Sequence, residues 1–126
     1  MPKRILIVDD DDDIREVASL SLESLAGYQV FTASSGSSGL MIAAKEQPDA
    51  ILLDVMMPDM DGPTTFQKLQ AQDVTAHIPV VFLTAKVQPS ERARFASLGA
   101  AAVLSKPFDP MTLASELADA LGWPRS

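Results

Sequence analysis

The chain has 126 residues, which suits one domain with one hydrophobic core. At 47% hydrophobic and 21% charged it has ordinary globular composition, and no apolar run approaches the ~20 residues needed to cross a bilayer. A net charge of −7 argues against a nucleic-acid surface, and the lack of cysteine excludes disulfides and thiolate metal sites, with a cytoplasmic home as the default expectation.

Strand and helix signals alternate along the chain. "RILIVD" is a short, β-branched apolar run, as expected of a strand buried on both faces. It runs straight into five aspartates, Asp9 to Asp13. A helical pattern follows, with Ile14, Val17, Ala18, Leu22 and Leu25 expected inward and Gly27 as its stop. "YQVFTA" reads as a second strand, and Ser35 to Ser38 offer caps to a helix through Leu40, Ala43 and Ala44 that Pro48 ends. "AILLD" is a third buried strand, closing on Asp54. "MPDMDG" is a loop, and Phe66 and Leu69 mark the next helix. "PVVFLT" is a fourth strand ending at Thr84, followed by a helix from about Ser90 to Leu98 that stops at Gly99. "AAVLS" is a fifth strand ending near Lys106. Asp109 is then expected to cap a last helix with Pro110 at its first position and Leu113, Leu117 and Leu121 inward.

Five strand-helix units predict a parallel sheet with helices on both faces and right-handed crossovers. In such sheets ligands bind beyond the carboxyl ends of the strands, where strand order reverses. The polar strand ends fall there: Asp9 and Asp10, Asp54, Thr84 and Lys106. Three carboxylates gathered in one crevice need a cation, and oxygen ligands with water completing the shell suit Mg²⁺. A lysine and a hydroxyl at the same rim would orient and neutralise phosphoryl oxygens, and a carboxylate can itself be the nucleophile. Given a strand order that gathers these residues, the chemistry suggested is Mg²⁺-assisted phosphoryl transfer to an aspartate.

Taken in order and at their spacing, "ILIVDDDDDIRE", "DAILLDVMMPDMDG", "PVVFLTA" and "LGAAAVLSKPF" resemble the receiver domain of bacterial two-component response regulators over nearly the whole chain. The resemblance implies a flavodoxin-like (βα)5 fold with strand order 2-1-3-4-5, a receiver domain over 1–122, a short tail over 123–126 and no output domain. It implies that Asp54 is the phosphoacceptor, that Asp10 is a direct Mg²⁺ ligand and that Asp9 acts mostly through water. Met56 would give the metal its backbone carbonyl, Thr84 would turn its hydroxyl toward the phosphoryl group, and Lys106 would pair with that group. A cis bond is expected at Lys106-Pro107. The implied donor is a sensor histidine kinase or a histidine phosphotransfer protein. The implied output is a protein target met through the fourth helix, fifth strand and fifth helix, with neither nucleic acid nor membrane as partner.

Asp11, Asp12 and Asp13 are expected at the start of the first helix, where capping and the macrodipole favour carboxylates. Other uses of the acidic residues fail on named positions. A haloacid-dehalogenase-type nucleophile motif from Asp10 and Asp12 meets Ile14 where Thr or Val belongs. An EF-hand reading of Asp59, Asp61 and Gly62 meets Met57 and Lys68 at its first and last ligand positions. His77, the one histidine, reads as an exposed loop residue, so a donor histidine would have to come from a partner. A receiver-like interaction module that is never phosphorylated is the remaining alternative, and a receiver excised from a longer regulator is another. One departure stands out. Receivers commonly carry an aromatic residue three positions before the lysine, where this chain has Val103, stiff at χ1 and small. The switch signal is therefore expected to run through the loop Ala85 to Pro89 and the fourth helix.

Overall fold

The computed structural model describes residues 2–85 and 88–124. Among these residues the chain alternates β1 (Arg4–Val8), α1 (Asp12–Ala26), β2 (Gln29–Ala33), α2 (Gly36–Glu46), β3 (Ala50–Asp54), α3 (Gly62–Ala71), β4 (Val80–Thr84), α4 (Pro89–Leu98), β5 (Ala102–Ser105) and α5 (Leu113–Leu121). The strands form one parallel sheet in the order β2-β1-β3-β4-β5, as the resemblance implies.

Alternation along the strands divides the interior into two cores, because successive side chains point to opposite faces. Leu6, Val8, Ile51, Leu53, Val80 and Phe82 pack with Ala43 of α2, Phe66 and Leu69 of α3, and Phe95 of α4. Ile5, Ile7, Leu52, Val81 and Leu83 pack on the other face with Ala18 and Leu22 of α1 and Leu113 and Leu117 of α5. Phe66 meets Phe82 edge-on and Phe95 lies tilted against Phe82 across the first core, with ring centroids 5.6 and 4.6 Å apart. A core wet on neither face explains why the central strands read as continuous apolar runs rather than alternating ones.

The helix ends carry the expected chemistry. Asp11 is the N-cap of α1, accepting from the backbone N–H groups of Asp13 and Ile14, and Gly27 closes that helix at φ 70°. Ser35 caps α2, and Asp61 caps α3 by accepting from the Thr64 N–H. That cap holds the Asp61 carboxyl below the usual carboxylate range.

Two expectations change. Val17 and Leu25 are not inward: they are 41% and 50% exposed. The buried stripe of α1 runs through Ala18, Ser21 and Leu22, and Val17 and Leu25 flank it, since a helix lying on a sheet buries only a narrow face. The last helix begins at Leu113, not behind Asp109. Asp109 instead shapes a turn, its carboxylate accepting from the Met111 N–H and its carbonyl from the Thr112 and Leu113 N–H groups. Trp123 packs edge-on against Tyr28, with Lys3 over its ring, which anchors the end of α5. None of the described helices is long and apolar enough to cross a membrane.

Candidate acidic crevice at the strand ends

β1 has β2 on one side and β3 on the other, so the chain leaves these neighbouring strands in opposite directions and opens a crevice beyond their carboxyl ends. Asp9 directly follows β1, Asp54 and Thr84 are the last residues of β3 and β4, and Lys106 follows β5. Together with Asp10, Asp11, Met56 and Ala85 they line a crevice of about 190 Å³. Every candidate named from strand ends is therefore in one place. Asp12 and Asp13 lie in the first turn of α1, as expected.

Lys106 organises the charges. Its Nζ donates to Asp54 Oδ1 at 2.8 Å and lies 3.1 Å from Asp9 Oδ2. Asp9 and Asp54 are 1% and 4% exposed, so this is an ion cluster largely out of water. Burial pushes the Asp54 carboxyl up from its ordinary value; the Lys106 hydrogen bond opposes that, and the Asp9 charge reinforces it. Burial works against the Lys106 charge, but hydrogen bonds and attraction from Asp54 and Asp9 outweigh it and hold the ammonium above its ordinary value. The Lys106-Pro107 bond is cis, as the resemblance implies.

The negative charge is under-compensated. Asp9 Oδ2 is buried without a well-formed hydrogen bond, although the ammonium stands nearby. Carboxylate oxygens of Asp9, Asp10 and Asp54 come within 4.8 Å of one another, a group that could hold a metal ion. The donor set is all oxygen, which fits a hard divalent cation.

In the metal-free protein the raised Asp54 pKa couples folding to pH. Because the folded pKa of Asp54 lies above its unfolded value of 3.8, the folded state binds more protons across that interval, and stability falls as pH rises through it. Asp54→Asn is expected to raise the melting temperature in EDTA at neutral pH and to flatten its fall between acid and neutral pH. Calorimetric melting curves at several pH values check both.

Val103 is buried in β5 against the core shared with Phe82 and Phe95, and its carbonyl accepts from Arg92 Nη1 of α4 at 3.2 Å. Of the loop Ala85 to Pro89, Lys86 and Val87 lie outside the described residues. His77 is exposed, as expected.

Sequence reasoning missed two residues that shape the crevice. Gly62 donates its N–H to the Val55 carbonyl at 2.8 Å and lies so close to β3 that a Cβ there would stand 2.4 Å from the Asp54 carbonyl oxygen. Arg15, on α1, donates to the Asp9 carbonyl at 2.7 Å. Glycine next to the helix-capping Asp61 was the available signal for the first; for the second there was none beyond an arginine one turn into the helix.

Known proteins share this fold. The model of the response regulator receiver domain matches residues 5–118. The chain is 45% identical over 106 residues to the DNA-binding dual master transcriptional regulator RpaA of Synechocystis sp., covering 84% of this chain and 44% of that protein. It is 44% identical over 115 residues to the response regulator PleD of Caulobacter vibrioides, covering 90% of this chain and 25% of that protein. The chain thus spans less than half the length of these two relatives. Among solved structures, the chemotaxis protein CheY4 of Vibrio cholerae superposes with a TM-score of 0.88 at 34% identity, over 95% of this chain and 99% of that one. The signal receiver domain of a histidine kinase from Syntrophus aciditrophicus superposes with a TM-score of 0.81 at 32% identity, over 95% of this chain and 90% of that one. With the family model covering nearly all of the sheet and helices, and the acidic crevice at the strand ends, the chain belongs to the receiver-domain family of two-component response regulators.

Proposed function

We propose that residues 1–122 form a phosphoacceptor switch in which Asp54 takes a phosphoryl group from a phosphohistidine on a sensor histidine kinase or a histidine phosphotransfer protein. The observation that carries this reading is the Lys106 ammonium bound to Asp54 beside the under-compensated Asp9 carboxylate. An Asp54 carboxylate oxygen forms the new bond to phosphorus as the phosphorus–nitrogen bond to the donor imidazole breaks, and the imidazole keeps the electron pair. Lys106 lies close enough to Asp54 to follow the charge onto the transferring oxygens. Thr84, at the adjacent strand end, lines the same crevice and would turn its hydroxyl to a phosphoryl oxygen. Asp9, Asp10, Asp54 and the Met56 carbonyl would hold Mg²⁺, which when bound neutralises phosphoryl charge. Hydrolysis of the aspartyl phosphate resets the switch, so the chain acts as a signalling acceptor rather than a turnover enzyme. The signal passes to a protein target through the surface of α4, β5 and α5.

Incubation with acetyl phosphate and Mg²⁺ tests this reading and should give one phosphoryl adduct by mass spectrometry. Asp10→Asn should lower Mg²⁺ affinity by about tenfold or more and slow adduct formation, since it removes a charged ligand. Asp13→Asn should change both little, because Asp13 is a helix-start residue. Equal losses from the two substitutions would overturn this division of the aspartate run, and no adduct on the wild type would favour the non-phosphorylated interaction module.

A further inference from the structure

The acidic crevice needs Asp9 and Asp10 held against mutual repulsion, and one side chain outside it is placed to do that. Asp9 is tied at its backbone and at one carboxylate oxygen, while the other faces the ammonium. Its N–H donates to the Ala33 carbonyl at 3.1 Å, its Oδ1 accepts from the Asp11 N–H at 2.9 Å, and its Oδ2 faces Lys106 at 3.1 Å. Its carbonyl, which belongs to the peptide plane joining Asp9 to Asp10, accepts from Arg15 Nη1 at 2.7 Å. The other arm of the same guanidinium is paired with the Asp12 carboxylate. The Arg15 side chain is 18% exposed and that of Asp12 is 89% exposed, so the arginine lies in under the turn while Asp12 holds it from the solvent side.

We propose that Arg15 is a positioning residue for the metal site, fixing the Asp9–Asp10 peptide so that both carboxylates converge, and that Asp12 serves by holding Arg15. This rests on the reading of Asp9, Asp10 and Asp54 as a Mg²⁺ site. The planar fork of an arginine suits the task, because it can bind a carbonyl and a carboxylate at once, whereas lysine offers a point charge. The run of aspartates then divides further than capping alone requires: Asp9 and Asp10 face the crevice, Asp11 caps α1, and Asp12 holds the arginine.

Positioning and plain electrostatics predict opposite signs. Arg15→Met removes a cation near a divalent-cation site and frees the Asp12 carboxylate, so charge alone would tighten Mg²⁺ binding. Loss of positioning would weaken it, as loss of groups that orient ligands does, by about tenfold. The experiment is calorimetric titration of the full chain with MgCl2, with thermal unfolding in EDTA to show that each variant is folded at the titration temperature. Arg15→Met is expected to bind Mg²⁺ about tenfold more weakly than wild type. Arg15→Lys, which keeps one donor for the Asp9 carbonyl, is expected to lose about threefold, and it carries the test if the methionine variant does not fold. Asp12→Ala should lose less than Arg15→Met. Affinity in Arg15→Met, or in Arg15→Lys where that variant stands in, equal to or tighter than wild type would overturn the proposal while leaving the metal site intact. No Mg²⁺ binding by the wild type would overturn the metal site and the proposal together.

Discussion

Gly62→Ala is expected to damage both stability and metal binding, although it adds one methyl group at the start of a helix. The backbone of Gly62 does not need a left-handed conformation; what it needs is space. A Cβ there would stand 2.4 Å from the Asp54 carbonyl oxygen and 2.8 Å from the Val55 Cα, both backbone atoms that cannot rotate away. Either α3 lifts from the sheet or the strand end carrying Asp54 shifts, and overpacking of this kind costs about 1–3 kcal/mol. Because the displaced segment holds Asp54 and Met56, Mg²⁺ affinity should fall along with the melting temperature. Gly27→Ala is the control. Gly27 has φ 70° and open space around its would-be Cβ, so alanine there is strained by about 1 kcal/mol but leaves Mg²⁺ affinity unchanged. Equal Mg²⁺ affinities in the two variants would show that the approach of α3 to β3 does not set the crevice.

Lys106→Met should have the larger effect on chemistry. It leaves Asp9 and Asp54, both buried, facing each other without the ammonium that lies 3.1 and 2.8 Å from them. Breaking a buried pair by removing one partner costs about 3–5 kcal/mol, and the partial exposure of Lys106 lowers this to about 2–3 kcal/mol. Mg²⁺ held by the proposed carboxylate site would bind the folded chain alone, so saturating MgCl2 should restore much of the loss. Phosphoryl acceptance should not be restored with it, and a fall of about 100-fold or more is expected for removal of a preorganised charge. The contrast with Asp54→Asn is instructive, since that substitution should stabilise the metal-free protein. Two changes to one ion pair with opposite signs in EDTA identify electrostatic frustration. A Lys106→Met variant as stable as wild type without metal would contradict it.

Much of this was legible in the chain. The strands announced themselves because burial on both faces demands continuous β-branched runs, as in "RILIV" and "VVFL". The crevice was legible because the polar residues that end strands in a parallel sheet must meet at one edge, which placed Asp9, Asp10, Asp54, Thr84 and Lys106 together. What periodicity could not resolve was how wide a stripe each helix buries. Val17 and Leu25 fit the helical repeat of α1 but fall beside the contact with the sheet. Nor could local rules distinguish a helix cap from a turn at Asp109, where Pro110 suits either. Gly62 and Arg15 were invisible for a third reason. Their roles come from tertiary approach, one of helix to strand and one of a guanidinium to a carbonyl six residues back, and neither leaves a spacing in the sequence.

The phosphorylated atom is the most direct test of the central claim. Wild type and Asp54→Asn are each incubated with acetyl phosphate and Mg²⁺, then treated with borohydride, which reduces an acyl phosphate to an alcohol and leaves homoserine at the modified aspartate. Peptide mass spectrometry should find homoserine at residue 54 in the wild type and no adduct in Asp54→Asn. Homoserine at Asp9 or Asp10, or an adduct formed at normal yield in Asp54→Asn, would contradict the assignment of Asp54 as the phosphoacceptor.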